Sequence, residues 1–176
     1  MSKKKTFSTE KITYIALLVA LQVVLGNISQ IASMSKQVSL GFVPIAIAGS
    51  MMGPVAAMIV GGLGDFFGAH LFPQGAYFIG FTLSNMIVGF IYGYVLHKHK
   101  LSWTRVIIAT IGVELVHLFL NTLWLSIMYT SKTYWIWLEL RAVGYLFEVP
   151  FYAVVTYFTL YGLQKIKFQP RFSRDQ

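Results

Sequence analysis

The stretch Ile12–Ser35 reads ITYIALLVALQVVLGNISQIASMS and carries no charged residue from end to end. A helix needs about 20 apolar residues to cross the hydrocarbon core of a bilayer, and this run is long enough. It follows the basic residues Lys3, Lys4 and Lys5, as the apolar segment of a signal peptide would, but it is longer than such a segment. We therefore predict a first transmembrane helix over about Ile12–Ala32.

The composition of the whole chain is that of a membrane protein. Of its 176 residues, 56% are hydrophobic and 11% are charged, whereas soluble domains carry about 25% charged residues. The length suits one domain, 1–176, and no linker-like segment divides it. The chain has no cysteine, which excludes disulfides, iron–sulfur clusters and cysteine-based zinc sites. Its apolar runs are continuous rather than alternating, so we predict an all-α integral membrane protein and not a barrel.

Prolines and glycines divide the rest of the chain into five further predicted helices. Pro44, the pair Gly53-Pro54 and the turn Pro73–Gly75 interrupt the charge-poor stretch between Lys36 and Lys98. With the first helix, this gives six spans. The five further helices are expected at about 44–52, 54–69, 76–96, 103–129 and 140–163.

The basic residues predict the orientation of these six spans. With a cytoplasmic N-terminus, three of the 14 Lys and Arg residues (Lys36, Lys132 and Arg141) lie on the outer side and the other eleven inside. Cytoplasmic segments of membrane proteins carry this excess of positive charge. Residues 1–11 and 165–176 are therefore predicted to be basic cytoplasmic ends. Because the basic residues form no continuous face, nucleic acid is not an expected partner.

Few ionisable residues fall within the predicted spans, and each is a functional candidate because charge is costly in hydrocarbon. Glu114 and His117 lie three residues apart on one helix face, which suits a structural hydrogen bond, a proton relay or part of a metal site. Asp65 and Glu148 are expected to have structural roles. A small membrane enzyme that uses Glu114 and His117 remains an alternative, but the sequence contains no complete catalytic motif and no nucleotide-binding loop. Binding or transport is favoured.

Arg141 is the strongest candidate for ligand binding. It lies near the predicted outer end of the sixth helix, close to Trp135, Trp137 and Tyr145. A guanidinium binds carboxylates through two hydrogen bonds and stacks on aromatic rings. The alternative is an arginine that extends to the lipid headgroups.

Two further segments supply aromatic and amide groups on the predicted outer side. The loop between the third and fourth helices combines turn-forming residues with rings that can stack on a flat ligand. Near the outer end of the fifth helix an amide and an indole lie one turn apart. The candidates are Phe72, Pro73, Gln74, Tyr77 and Phe78 in the loop, and Asn121 and Trp124 in the helix.

Several motifs of this sequence resemble the substrate-binding (S) subunit of energy-coupling factor (ECF) transporters, a family of ABC-type vitamin transporters, and most closely its folate-specific type. They are GFVPI at 41–45, Gly53-Pro54 followed by Gly61, Asp65 and Gly68, LFPQGAYFIGFTLS at 71–84, LNTLWLSIMY at 120–129, and Arg141 with Pro150. ALLVA at 16–20 resembles the AxxxA signature by which these subunits dock. The likeness covers nearly the whole chain.

The resemblance implies a multi-pass subunit in the plasma membrane of a bacterium that binds folate or a reduced folate from outside. It implies delivery inward by reorientation, with a transmembrane coupling (T) subunit, two ATPases, no ATPase in this chain and no cofactor. Ala16 and Ala20 would contact the coupling subunit, and Arg141 and the aromatic residues the substrate. Val38-Ser39 and Gly144 stand where the folate-specific type has cations, and Lys36 or Lys132 is expected to compensate. Pyridoxine, pantothenate or a thiamin precursor is the alternative substrate.

Overall fold

The computed structural model describes residues 8–28, 31–33, 36–73, 75–129 and 133–166, with side chains for all of them except 31–33 and 36–38. This part of the chain is an antiparallel helical bundle with one small hairpin. A π-helical turn, His117–Asn121, joins α5 to α6, so that Trp103–Met128 is one continuous helix. The elements are α1 (Thr9–Ile28), β1 (Ile31–Ser33), β2 (Lys36–Val38), α2 (Phe42–Met52), α3 (Pro54–Leu71), α4 (Ile79–Leu96), α5 (Trp103–Val116), α6 (Thr122–Met128) and α7 (Tyr134–Lys165).

The predicted helical architecture is confirmed, and each predicted helix has a counterpart in the structure. Helices α1, α3, α4, α7 and Trp103–Met128 are long and apolar enough to cross a membrane. Helix α2 has 11 residues, and at 1.5 Å per residue it is about 16 Å long, roughly half the thickness of the hydrocarbon core.

Three predicted boundaries are wrong. Helix α1 ends at Ile28 rather than near residue 32, because the chain turns into a hairpin in which Ile31 pairs with Val38. Helix α4 begins at Ile79 rather than at 76, since the residue before it, Phe78, has an extended backbone. Helix α7 begins at Tyr134 rather than at 140 and continues through Pro150.

Contacts at both ends of α2 show that it returns alongside α1. At one end the Lys11 Nζ donates to the Met52 carbonyl (3.2 Å). At the other end Gly26 and Gly41 are so close that a Cβ on Gly41 would lie 3.1 Å from the Gly26 Cα. Helix α2 therefore connects the two ends of the bundle in spite of its length. The chain passes from end to end six times in the described residues.

Both described ends of the chain consequently lie at the same end of the bundle. The Nδ1 of His97, which follows α4, lies 3.2 Å from the carbonyl oxygen of Ser50 in α2. Trp103 at the start of α5 stacks on Tyr157 in the last third of α7, with ring centroids 3.9 Å apart. We call this the basic end, because Lys11, Lys98, Lys100, Arg105 and Lys165 belong to it. The opposite end, with the β-hairpin, is the hairpin end.

Helices α2, α3 and α4 pack with their backbones in contact at glycines. A Cβ on Gly49 would lie 2.8 Å from the backbone nitrogen of Gly93. A Cβ on Gly93 would overlap the Cα of Pro54, and one on Gly89 the carbonyl of Ala57. Only glycine allows helices to approach this closely in a membrane. These contacts fix α3 and α4 as a rigid support for the loop that joins them at the hairpin end.

Candidate substrate-binding site

An aromatic pair forms at the hairpin end from two segments distant in sequence. The rings of Phe78, before α4, and Trp124, in α6, have centroids 5.6 Å apart and are tilted by 46°. The Trp124 Nε1 donates to the buried Ser84 Oγ at 3.0 Å. Gly80 leaves the space for this arrangement, because a Cβ there would lie 2.5 Å from both rings. The structure thus brings together two of the residues that the sequence singled out separately.

The other candidates of the loop lie apart from this pair. Phe72 and Pro73 are exposed at the end of α3, and Gln74 lies outside the described residues. Tyr77 turns toward α3, where its ring is 4.8 Å from that of His70 and 5.9 Å from that of Phe66. The loop therefore presents Phe78 to α6 and Tyr77 to α3.

A chain of hydrogen bonds holds Tyr77 to the helices below it. The Thr82 Oγ1 donates to one carboxylate oxygen of Asp65 (2.6 Å), and the Asn85 Nδ2 donates to the other (2.8 Å). The hydroxyl of Tyr77 is 2.8 Å from the Thr82 Oγ1. Because Thr82 has a single hydroxyl proton and gives it to Asp65, Tyr77 is the donor in this last bond. The sequence pointed to Asp65 but not to Thr82 and Asn85, since polar residues on an apolar helix do not reveal their partners.

Arg141 is buried inside the bundle, with 7% of its surface exposed. Its Nη2 donates to the Tyr145 hydroxyl (2.9 Å) and its Nη1 to the Thr122 Oγ1 (3.4 Å). The Nε is buried and has no hydrogen-bond partner among the described residues. This position does not match an arginine that extends to the headgroups, because such a side chain keeps its charge in water.

Thr122 and Trp124, directly after the π-helical turn, let one helix serve both Arg141 and the aromatic pair. Thr122 faces α7 and Trp124 faces α4, as residues two positions apart do at about 100° per residue. The turn ends at Asn121, whose Oδ1 is buried and has no hydrogen-bond partner in the described part of the chain. Isolated π turns occur frequently at functional sites. Asn121, Thr122 and Trp124 therefore form the central element of the candidate site.

Comparison with known proteins identifies the family that has this architecture. Residues 10–160 match the family described as "ECF transporter, substrate-specific component". The chain belongs to this family. A protein named "Folate transporter FolT" from Clostridium novyi (strain NT) is 38% identical over 145 residues, which cover 82% of this chain and 84% of that protein. One of the same name from Leuconostoc mesenteroides is 32% identical over 158 residues, with 86% and 85% covered.

A solved structure agrees with this substrate-specific component in fold as well as in sequence. The structure titled "Crystal structure of FolT bound with folic acid" superimposes with a TM-score of 0.79 at 33% sequence identity. The match covers 86% of this chain and 92% of the other. The helical bundle described above is thus the fold of an ECF substrate-specific component.

The two alanines that were predicted to dock this component on its partner lie on an open face of α1. Ala16 and Ala20 are both exposed, whereas Ile15, Leu18 and Val19 are buried against the bundle. Small residues four positions apart leave a shallow strip on which another helix can pack closely. The position of Lys36 in β2 is described, but its side chain lies outside the described residues.

Glu114 and His117 precede Trp124 of this substrate-specific component by ten and seven residues. Glu114 is 3% exposed and its Oε1 lies 3.9 Å from the His117 Nδ1, longer than a hydrogen bond. Glu114 and Tyr145 are the polar members of a cavity of about 320 Å³ whose other lining residues are apolar. In the described part of the chain, no three His, Asp or Glu side chains are placed to hold a metal ion. The cavity lies between α5 and α7, lined by Ile111, Glu114, Leu115, Leu118, Ala142, Tyr145, Leu146, Val149 and Pro150.

Proposed function

We propose that this substrate-specific component binds folate, or a reduced folate, for uptake across the bacterial plasma membrane. The observation that carries the proposal is the likeness to a FolT structure with folic acid, which extends over 86% of the chain. The relatives named as folate transporters support it, since their similarity includes most of the described bundle.

The geometry suits a ligand that is flat at one end and rich in hydrogen-bonding groups. A pterin ring stacks on an aromatic face, and the Phe78–Trp124 pair supplies one at the hairpin end. The buried Nε of Arg141 is a donor and the Oδ1 of Asn121 an acceptor, each without a hydrogen-bond partner among the described residues. Buried polar atoms of this kind need a partner, and the edge of a bound ligand provides one. Phe72, Pro73 and Gln74 remain proposed contacts from the loop, and Lys36 from the hairpin.

The proposed orientation places the basic end in the cytoplasm and the hairpin end outside. It rests on the five basic residues of the described basic end and on the basic sequence that continues beyond it at both termini. Both termini are then cytoplasmic and six helices traverse the membrane, with α2 the shortest. In this orientation the Phe78–Trp124 pair opens toward the side from which the vitamin arrives.

The proposed partners are a transmembrane coupling subunit, contacted through Ala16 and Ala20, and two ABC-type ATPases. The open small-residue face of α1 supports the contact. ATP hydrolysis belongs to the ATPases, and this chain contributes the binding site. Reorientation of the loaded subunit in the bilayer then delivers folate inward.

Titration of the purified protein with folate in detergent tests this function. A charge-assisted hydrogen bond contributes about 1.5–3 kcal/mol, so Arg141→Ala should weaken folate binding by about tenfold to a hundredfold. Arg141→Lys should restore little, because an ammonium lacks the planar set of donors that reaches Thr122, Tyr145 and the ligand together.

Arg105→Ala is the matched control, since Arg105 is at the basic end and should leave affinity unchanged. Unaltered affinity in Arg141→Ala would remove Arg141 from the site. If the wild type binds pyridoxine, pantothenate or a thiamin precursor and not folate, the substrate assignment is wrong and only the family assignment stands.

A further inference from the structure

We propose that Asp65 is a positioning residue for substrate binding, acting through Thr82 and Tyr77 to hold the ring of Phe78 against Trp124. The inference rests on the proposed function and adds to it a residue that does not face the aromatic pair. Asp65 lies on α3, and its two carboxylate oxygens accept from two residues of α4.

The hydrogen bonds around Asp65 connect α3, the start of α4 and the loop before α4, and the site depends on the relative positions of these three parts. Thr82 and Asn85 lie three residues apart, on one face of the first turns of α4, and both donate to the carboxylate of Asp65. Charge-assisted bonds of this kind are about twice as strong as neutral ones. The start of α4 is therefore fixed in rotation and height relative to α3.

The third bond extends this fixation into the loop. The Tyr77 hydroxyl donates to the Thr82 Oγ1 at 2.8 Å, while its ring lies against His70 and Phe66 of α3. Tyr77 is the residue directly before Phe78. With Tyr77 held on the α3 side, the extended backbone of Phe78 (φ −134°, ψ 124°) directs its ring to the α6 side, toward Trp124.

The opposite face of α4 shows why such a constraint is required. Ser84 accepts from the Trp124 indole at 3.0 Å, and Gly80 gives room to both rings with no space for a Cβ. The aromatic pair is assembled against this face, so a small rotation of α4 would separate the rings or make them collide. The Asp65 network restrains that rotation from the side that faces α3.

An exchange of the two side chains separates this role from simple helix packing. Asp65→Asn removes the charge that strengthens both bonds and turns one acceptor into a donor, so that Thr82 has to accept from position 65 instead of donating to it, and Asn85→Asp places two carboxylates face to face. The double variant Asp65→Asn/Asn85→Asp rebuilds the pair in reverse: the new amide at 65 donates to the new carboxylate and still accepts from Thr82.

We expect each single variant to bind folate about tenfold more weakly and to release it faster, a change of about 1.4 kcal/mol. The double variant should recover most of the affinity.

Tyr77→Phe is the second variant. It removes the hydrogen bond from the loop to Thr82 and leaves Asp65, Thr82 and Asn85 bonded to one another. Folate should dissociate faster from this variant although its melting temperature is unchanged. Tyr94→Phe is the matched control: Tyr94 is a 71% exposed tyrosine of the same helix, toward the basic end, and its change should alter neither quantity.

The measurements are folate affinity, dissociation rate and melting temperature without ligand, on protein of matched monodispersity. Loss of stability without loss of affinity in the single variants would overturn the proposal and leave Asp65 a packing residue. Failure of the double variant to recover affinity would also overturn it, as would an unchanged dissociation rate in Tyr77→Phe. If the wild type does not bind folate at all, the proposed function has failed instead, and that result is distinct from all of these.

Discussion

The two halves of the bundle are held together by different means. In α1–α4, the backbones of neighbouring helices touch at Gly49, Gly89 and Gly93, and the carboxylate of Asp65 has a donor on each oxygen. In α5–α7, a π turn interrupts the helix, and Arg141 and Asn121 each bury a polar atom without a hydrogen-bond partner among the described residues.

This difference indicates that α1–α4 act as a scaffold and that α5–α7 contribute most of the candidate site. A closely packed region whose partly buried carboxylate is satisfied has little to gain from a ligand at that group, although Gln22 of α1 keeps a buried oxygen without a hydrogen-bond partner among the described residues. Buried polar atoms that lack partners cost free energy until something pairs with them. The ligand-facing groups should therefore come mostly from α5–α7, and α1–α4 should hold the loop and Phe78 in place against them.

The largest expected effect comes from breaking the scaffold. In Gly93→Leu the new Cβ would occupy the position of the Pro54 Cα, so α3 and α4 would have to separate. Overpacking a core costs typically 1–3 kcal/mol when side chains can adjust, and here the obstacle is backbone. We expect no monodisperse protein after extraction, measured by size-exclusion chromatography of a fluorescent fusion.

Gly162→Leu is the matched control in α7, because a Cβ at Gly162 has nothing within 4 Å. It should give wild-type yield and profile. Well-folded Gly93→Leu protein would show that the glycine contacts of α1–α4 are not what holds this half together.

A substitution on the exposed face of α1 is expected to have an effect of intermediate size. Ala16→Trp fills the open strip of α1 without entering the bundle, so vitamin uptake in cells that supply the coupling subunit and ATPases should be lost, while folate binding by the isolated subunit stays intact. Leu17→Trp, at a position that is 62% exposed and about 100° further around α1, should affect uptake much less. If binding falls in step with uptake, the strip serves the fold and not a partner.

The smallest effect concerns Glu114, which lines the apolar cavity, and His117, three residues after it. Glu114→Gln keeps the shape of the carboxylate and His117→Gln supplies an amide, and both substitutions leave Phe78, Trp124 and Arg141 unchanged. Folate affinity should change by no more than about twofold, roughly 0.4 kcal/mol, in the same titration. A tenfold loss in either variant would extend the site along α5 and revive a chemical role for the pair.

The sequence predicted the α1–α4 half of the bundle better than the interior of the α5–α7 half. Long uncharged runs and Gly-Pro breaks predicted the helices of α1–α4, because in a membrane continuous apolar length is itself the signal. The hairpin of residues 31–38 was missed, since Ile31–Ser33 continues the uncharged run and nothing marks the turn. The pairing of Phe78 with Trp124 was anticipated only as two separate candidates, because tertiary contacts across 46 positions leave no local pattern.

The interior of α5–α7 was the least predictable part. The sequence singled out Arg141 by its charge and Tyr145 as a neighbour, but Thr122, which also accepts from Arg141, looks like an ordinary member of an apolar helix. The π turn has no sequence signature of its own, since HLFLN is compatible with an α-helix.

The π turn at His117–Asn121 also bears on how such a site changes over evolutionary time. It amounts to one residue beyond the α-helical repeat, which the wider turn absorbs, so a single-codon deletion there would restore a regular helix and leave α5 and α6 close to their present orientations. Trp124 would stay near Ser84 and Thr122 near Arg141, and the change would be confined to the turn that contains Asn121. Insertion and deletion at this one turn thus offer a lineage a way to alter one part of the site without a new scaffold.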